Sequence, residues 1–272
     1  MWKWVFLAAV VAVATTGAIA QDGRLRSLDV GTDATPWEAV GRLDIGGAGF
    51  CTGALIGPDL VLTAAHCLFD KTSGERINHE TVEFLAGWRN GRASAYRKVR
   101  RAVVHPDYSY AEEVSSARVR NDVALLELVR PIRNTTIEPF ETATRPRPGA
   151  RVGVVSYARN RSEAPSLQEV CRVLARQEGV LVTSCTVDFG SSGAPIFTFA
   201  DGKAHIVSVV SAKAEMDGQN VSLGTALSGP LAYLRSELDA GKGVYQKVAP
   251  VSRIVVGESR RDTGAKFVRP GE

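Results

Sequence analysis

The stretch at 51–67, CTGALIGPDLVLTAAHC, constrains this chain more than any other. Two cysteines 16 residues apart enclose a Gly57-Pro58-Asp59 turn with apolar runs on both sides, and His66 directly precedes the second cysteine. Run, turn and run read as a β-hairpin. A cross-link between Cys51 and Cys67 would hold His66 still at the hairpin's rim, as a general base requires. A histidine beside a cysteine is more often an ordinary surface or core residue, so a catalytic assignment depends on partners further along the chain.

The first residues read as an export leader. Residues 1–20 carry one positive charge, Lys3, then an apolar run that ends in Ala18-Ile19-Ala20. A positive start, an apolar middle and an A-x-A site predict cleavage after Ala20. The competing reading is a membrane anchor. The run is short and softened by Thr15, Thr16 and Gly17, which places it below a spanning helix. The product is therefore expected to be secreted or periplasmic, with no membrane insertion after cleavage.

Four cysteines remain: Cys51, Cys67, Cys171 and Cys185. An even count behind a leader implies disulfides. Of the three pairings that four cysteines allow, proximity favours Cys51–Cys67 and Cys171–Cys185. Each would close a short loop and stabilise the fold by about 3 kcal/mol on the chain-entropy argument. A zinc site is the alternative use of Cys and His. With no C-x-x-C pair and four scattered histidines, neither metal nor cofactor is expected. Lys and Arg exceed Asp and Glu by only four (33 against 29), too mild an excess to argue for nucleic acid.

The chain beyond the leader, about 250 residues, suffices for one large all-β domain or two packed barrels. Short β-branched and apolar segments at 52–56, 60–63, 82–88, 98–104 and 123–128 form one run of strands. After a polar, proline-bearing stretch a second run follows at 151–157, 166–174, 179–186, 194–199 and 205–211. Two such runs predict two antiparallel barrels. One helix is expected late: Pro230 opens it, Leu231, Leu234 and Leu238 share a face, and Gly241 suits its exit. The division drawn is 1–20 leader, 21–130 first barrel with its approach, 131–147 linker, 148–241 second barrel and helix, and 242–272 basic tail. Within the tail, 244–256 is apolar enough to pack as an extended segment, whereas 257–272 is polar and expected to be mobile.

Two motifs supply the missing partners. Asp122 stands just before the apolar run VALLEL. Read alone it is a turn residue at a strand start. Ser192 lies in the Gly-rich turn DFGSSGAP at 188–195, which alone reads as a surface loop. Together, TAAHC at 63–67, NDVALLEL at 121–128 and GSSGAP at 190–195, in this order, resemble the three signature regions of the trypsin/chymotrypsin-like serine peptidases. Pro36-Trp37 and His105-Pro106-Asp107-Tyr108 are weaker echoes. The likeness covers roughly 28–240 and looks closest to the compact bacterial branch that includes the glutamyl endopeptidases.

The resemblance implies two packed six-stranded antiparallel β-barrels with a C-terminal helix. It also implies a serine endopeptidase acting on polypeptides; a monomer is expected. His66 would be the base, Asp122 its orienting acid and Ser192 the nucleophile. The N–H groups of Gly190 and Ser192 would form the oxyanion hole. Thr186, Ser211, Lys213 and Gly224 would line the substrate pocket. A binding or adhesion module that has lost activity is the second reading, against which three intact signature residues argue. An α/β-hydrolase is a third, since Gly190-Ser191-Ser192-Gly193-Ala194 nearly fits its nucleophile elbow. That fold needs acid and histidine after the serine, and only His205 follows.

Departures from the family matter too. Animal members carry an acid before the nucleophile, which pairs with a new N-terminus after zymogen cleavage. Here the position is Ser191, a neutral hydroxyl, so activity is expected without a defined new N-terminus. Thr186 stands where trypsins hold an aspartate for Arg or Lys. Val210 stands where glutamyl endopeptidases commonly have a histidine.

Overall fold

The structure, a computed structural model, describes residues 25–29, 31–111, 113–143 and 146–246. The expected leader and the tail beyond 246 lie outside the described residues. Among the described residues no helix is long and apolar enough to cross a membrane.

β1 (Arg26–Ser27), α1 (Gly31–Ala34) and a 3-10 turn at Thr35–Trp37 lead into β2 (Val40–Ile45), β3 (Phe50–Gly57) and β4 (Leu60–Thr63). β5 (Val82–Ala86), β6 (Ala95–Val104), α2 (Ser116–Asn121) and β7 (Ala124–Leu128) follow. β2 to β7 close an antiparallel barrel in the order β2-β3-β4-β7-β6-β5. The second half contributes β8 (Arg151–Ala158), β9 (Arg161–Gln177), β10 (Val180–Thr183), β11 (Pro195–Ala200), β12 (Lys203–Met216), β13 (Gln219–Ala226) and α3 (Pro230–Asp239). Their order is β8-β9-β10-β13-β12-β11, and β8 pairs with both β9 and β11, so this sheet also returns on itself. The expected class, all-β with two barrels and a C-terminal helix, is the class observed. β1 adds to the edge of β9, with Arg26 opposite Leu167, and so joins the start of the described chain to the second barrel.

Alternation along the strands explains why several read as unbroken apolar runs. In a strand, successive side chains point to opposite faces. Leu55, Val61 and Leu126 point into the first barrel's core, while their neighbours Ala54, Leu62 and Leu125 point into a second core shared with the other barrel. On the far side, Val155 and Phe197 enter the shared core and Val154 and Ile196 enter the second barrel's own. Trp37 sits in the shared core edge-on to Phe197 at 5.1 Å, and Leu231, Leu234 and Leu238 of α3 close it. Both cleft walls therefore rest on one continuous apolar layer.

The observed strands differ from expectation where polar groups are buried by specific bonds. β2, VGRLDI, carries Arg42 and Asp44, and its Gly41 lies where a Cβ would meet the Phe84 ring at 2.4 Å. β13, QNVSLGTA, is polar, yet its Ser222 and Thr225 are buried. Ser222 Oγ shares a 2.7 Å hydrogen bond with Thr183, and Thr225 Oγ donates to the Asp122 carbonyl at 3.0 Å. Neither strand carries the periodic apolar signal of the others. β9 starts earlier than expected, at Arg161, and β10 ends earlier, at Thr183, leaving Thr186 on an irregular segment. β12 runs on to Met216.

Candidate active site

His66 sits on a 3-10 turn, Ala65–Leu68, directly after β4. The Cys51–Cys67 disulfide ties this turn to β3, with the sulfurs 2.03 Å apart. Asp122 is the C-cap of α2, a helix too short for sequence periodicity to reveal. Ser115 caps the start of α2 by accepting from the Arg118 N–H, and at its end the Asp122 N–H donates to the Val119 carbonyl. Thr225 of the second barrel donates to the carbonyl of Asp122 and also reaches that of Val119. The carboxylate is thus placed from both barrels.

Asp122 is almost fully buried, and both its oxygens are engaged. Oδ1 accepts the His66 backbone N–H at 2.9 Å and Oδ2 lies 2.7 Å from His66 Nδ1. Ser211 Oγ also donates to Oδ2. Oδ2 already accepts from Ser211, and with Nδ1 as its other partner the ring proton sits on Nδ1. Nε2 is then the ring's basic nitrogen. Val114, Arg118, Val119 and Ala212 line the remainder of a cavity of about 110 Å³ beside this group. Tyr108 lies close by, and burial first, then the Asp122 carboxylate, pushes its phenol pKa up.

The turn at 188–193 of the second barrel packs against Thr63 and Ala64, which lead into the turn that bears His66. Gly190 has φ 98° and a Cβ there would meet the Phe50 ring at 2.4 Å. Gly193 has φ 75° and a Cβ there would lie 2.1 Å from Thr63 Oγ. Only glycine combines the left-handed backbone with this close approach. Packing against Thr63 and Ala64 sets Ser192 beside the turn that bears His66. Thr52 of β3 fixes the turn from the first barrel: its N–H donates to the Ser192 carbonyl at 2.9 Å and its hydroxyl to the Gly190 carbonyl at 2.8 Å. Sequence reasoning missed Thr52, whose partners lie more than a hundred positions away and leave no local signal. Among the described residues neither the Gly190 nor the Ser192 N–H donates to a backbone carbonyl, and no hydrogen bond joins Ser192 Oγ to His66. Such bonds are often long before substrate binds.

Of the expected pocket residues, Ser211, Lys213 and Gly224 lie on the paired strands β12 and β13, and Thr186 on the segment that leads to the 188–193 turn. Ser211 sits at a bulge between Val210 and Ala212, which turns its hydroxyl toward Asp122. Thr186 is exposed and its N–H donates to Gln168 Oε1 at 2.7 Å. Lys213 is exposed opposite Ser222. Gly224 is buried opposite Val210, where a Cβ would lie 2.4 Å from Ser208 Oγ, so close strand packing alone accounts for a glycine there. Cys171 and Cys185 form the second disulfide. The sulfurs of Cys51 and Cys67 lie within 4.8 Å of a His66 nitrogen, but both are spent in the disulfide and cannot act as thiolate ligands.

The Trypsin family profile matches residues 30–225. A glutamyl endopeptidase of Bacillus licheniformis is 28% identical over 180 residues, covering 66% of this chain and 54% of that protein. Trypsin epsilon of Drosophila erecta is 28% identical over 158 residues, 53% of this chain and 57% of that one. Mast cell protease 3 of Ovis aries is 30% identical over 151 residues, 53% and 55% respectively. The chain therefore spans little more than half the length of these relatives. A solved structure of a Glu endopeptidase in complex with MPD superposes with a TM-score of 0.63 at 16% identity, covering 82% of this chain and 98% of that one, which bears on the fold alone. With the family profile matched over most of its length, the chain belongs to the trypsin family.

Proposed function

We propose that this protein is an exported serine endopeptidase that cleaves polypeptides with His66, Asp122 and Ser192 as its catalytic triad. The observation that carries the reading is the state of Asp122. Its two oxygens bind His66 at the backbone N–H and at Nδ1, which leaves Nε2 as the base. Ser192 Oγ then attacks the scissile carbonyl carbon as its proton passes to Nε2. The two open N–H groups of the 188–193 turn, Gly190 and Ser192, receive the developing oxyanion. One such donor is typically worth about 3 kcal/mol of barrier. Collapse of the intermediate expels the amine, which takes the proton from His66, and leaves the acyl group on Ser192. Water, activated by the same base, releases the acid product and restores the hydroxyl.

Export accounts for the leader and for two disulfides in a chain without a free cysteine among the described residues. A single chain suffices for the site as described. Thr186, Ser211, Lys213 and Gly224 remain the assignment for the substrate pocket. Thr186 offers no countercharge for Arg or Lys, so cleavage after these residues is not expected to dominate.

The test is labelling by a fluorophosphonate serine-hydrolase probe together with digestion of a mixed peptide library. The wild type should be labelled and active. Ser192→Ala should lose the label and about six orders of magnitude of turnover while remaining folded. A Ser192→Ala protein that keeps more than about a hundredth of wild-type turnover refutes the triad. A folded wild type that is neither labelled nor active would instead favour the idle binding relative.

A further inference from the structure

Behind the 188–193 turn lies a polar cluster that the triad does not use. Ser191, the position where animal relatives place an acid, is fully buried. Its hydroxyl lies 3.2 Å from Ser156 Oγ and 3.2 Å from the Tyr157 carbonyl, and it accepts a weak hydrogen bond from the Asp188 N–H at 3.4 Å. Arg161 reaches this hydroxyl from the first residue of β9. Its Nη2 donates to Ser191 Oγ at 3.3 Å and to Ser156 Oγ at 3.0 Å, and its Nη1 donates to the Ser156 carbonyl. The β8–β9 hairpin sets this up, because Arg161 pairs with Ala158 across a two-residue turn and so points back along β8.

We infer that Arg161 is a positioning residue for the oxyanion turn, holding Ser191 and β8 from behind so that the Gly190 and Ser192 N–H groups keep their direction into the cleft. The proposal rests on the peptidase reading of the site. Besides the backbone bonds from Arg159 N–H to the Phe189 carbonyl and from Gly193 N–H to the Val210 carbonyl, side chains restrain the turn from two sides. From the front, Thr52 grips the turn at the Gly190 and Ser192 carbonyls. From behind, the only buried side chain of the turn is that of Ser191, since Asp188 and Phe189 are exposed. A hydroxyl rotates freely and by itself fixes little. A planar guanidinium that spans Ser156 and Ser191 with directed N–H groups removes that freedom. The cation is taken from water to do so: burial lowers its pKa, and the Asp188 carboxylate works in the opposite direction. Among the described residues no carboxylate lies within ion-pairing distance of Arg161, so the hydroxyls and the carbonyl are its direct partners. This places an internal cation against Ser191, the position at which animal relatives pair an acid with a chain terminus.

The experiment uses the chain from Gln21 and compares wild type, Arg161→Ala, Arg161→Lys and Ser191→Ala, with Ser192→Ala as the blank. Peptide turnover, fluorophosphonate labelling rate and thermal midpoint are measured for each. A turn that has lost its direction should cost Arg161→Ala about 50-fold in kcat, with KM within about two-fold and labelling slowed in parallel. Arg161→Lys, with a charge but no fork, should fall between Arg161→Ala and wild type, and added guanidinium should restore part of the Arg161→Ala rate. Should Arg161→Ala fail to fold, Ser191→Ala carries the test: it removes the hydroxyl that Arg161 holds and should lower kcat about ten-fold. A folded Arg161→Ala with wild-type kcat overturns the inference, as does an unimpaired Ser191→Ala where Arg161→Ala does not fold. So does a loss in Arg161→Ala that follows the thermal midpoint alone and is not rescued. In those cases an active wild type leaves the peptidase reading standing. A wild type that is neither labelled nor active overturns both.

Discussion

On the first barrel, His66 is held by a buried carboxylate and a disulfide; on the second, the Ser192 turn is held by glycines, hydroxyls and one guanidinium. The two walls of the cleft thus use different restraints for different tasks. The imidazole needs one tautomer and one orientation, and a carboxylate with a directed oxygen supplies both at once. The turn needs two backbone N–H groups left open, so its restraints act on its carbonyls and on the Ser191 hydroxyl. In the proposed mechanism, charge is concentrated where the proton would move and set back from where negative charge would develop. Each wall is also reached from the opposite barrel: Thr225 and Ser211 grip Asp122, and Thr52 grips the turn. A change in either barrel should therefore be felt at both walls.

Among changes that bear on this comparison, removing charge from the first wall gives the largest expected effect. Asp122→Asn keeps the shape but offers an amide N–H or a neutral oxygen to Nδ1, and the wrong tautomer becomes accessible. Turnover should fall by about 10⁴-fold. Steady-state kinetics on the best library peptide, with the thermal midpoint as a folding control, measures this. A loss of less than about ten-fold would remove the distinction between the walls.

The disulfides separate stability from positioning. Cys51 and Cys67 replaced together by Ser, and likewise Cys171 and Cys185, should each cost about 3 kcal/mol in denaturant unfolding, because the loops are nearly equal, with separations of 16 and 14. Activity should part company with stability. Measured at a temperature where both variants stay folded, turnover should fall in the first, whose cross-link adjoins His66, and hold in the second. Equal losses of turnover would mean that the cross-link acts on the barrel as a whole.

The smallest effect concerns pH and a residue outside the candidate site. His79 is buried, its Nε2 has no partner, and its ring meets Tyr245 edge-on at 5.8 Å. Burial, chiefly, and the neighbouring Arg76 lower its pKa from the ordinary value. The unfolded chain then binds the proton more readily than the folded one. Stability is fully present above the unfolded histidine pKa of about 6.5 and declines as pH falls from there toward the lowered folded value. Denaturant midpoints for wild type and His79→Phe across this range should show a shallower decline in the variant. The decline should not vanish, since burial lowers the pKa of His105 as well. Parallel curves would exclude His79 from the acid sensitivity.

Local sequence was enough for the strands whose two faces are both apolar, such as β4, which runs from Leu60 to Thr63 in reading and structure alike. It was enough for α3, where Leu231, Leu234 and Leu238 share one buried face. The motifs that contain His66, Asp122 and Ser192 stood out only together, through their resemblance in order to the signature regions of one family. Local sequence could not reveal β2 or β13, whose glycines and hydroxyls become strand residues only when Phe84, Thr183 or Ser208 closes over them. It could not reveal Thr52, Thr225 or Arg161, whose partners are distant in the chain or lie across a hairpin. Periodicity records which face of a segment meets apolar neighbours, and that information is local. A directed hydrogen bond between two barrels depends on where both backbones have come to rest, and only the closed tertiary structure decides that.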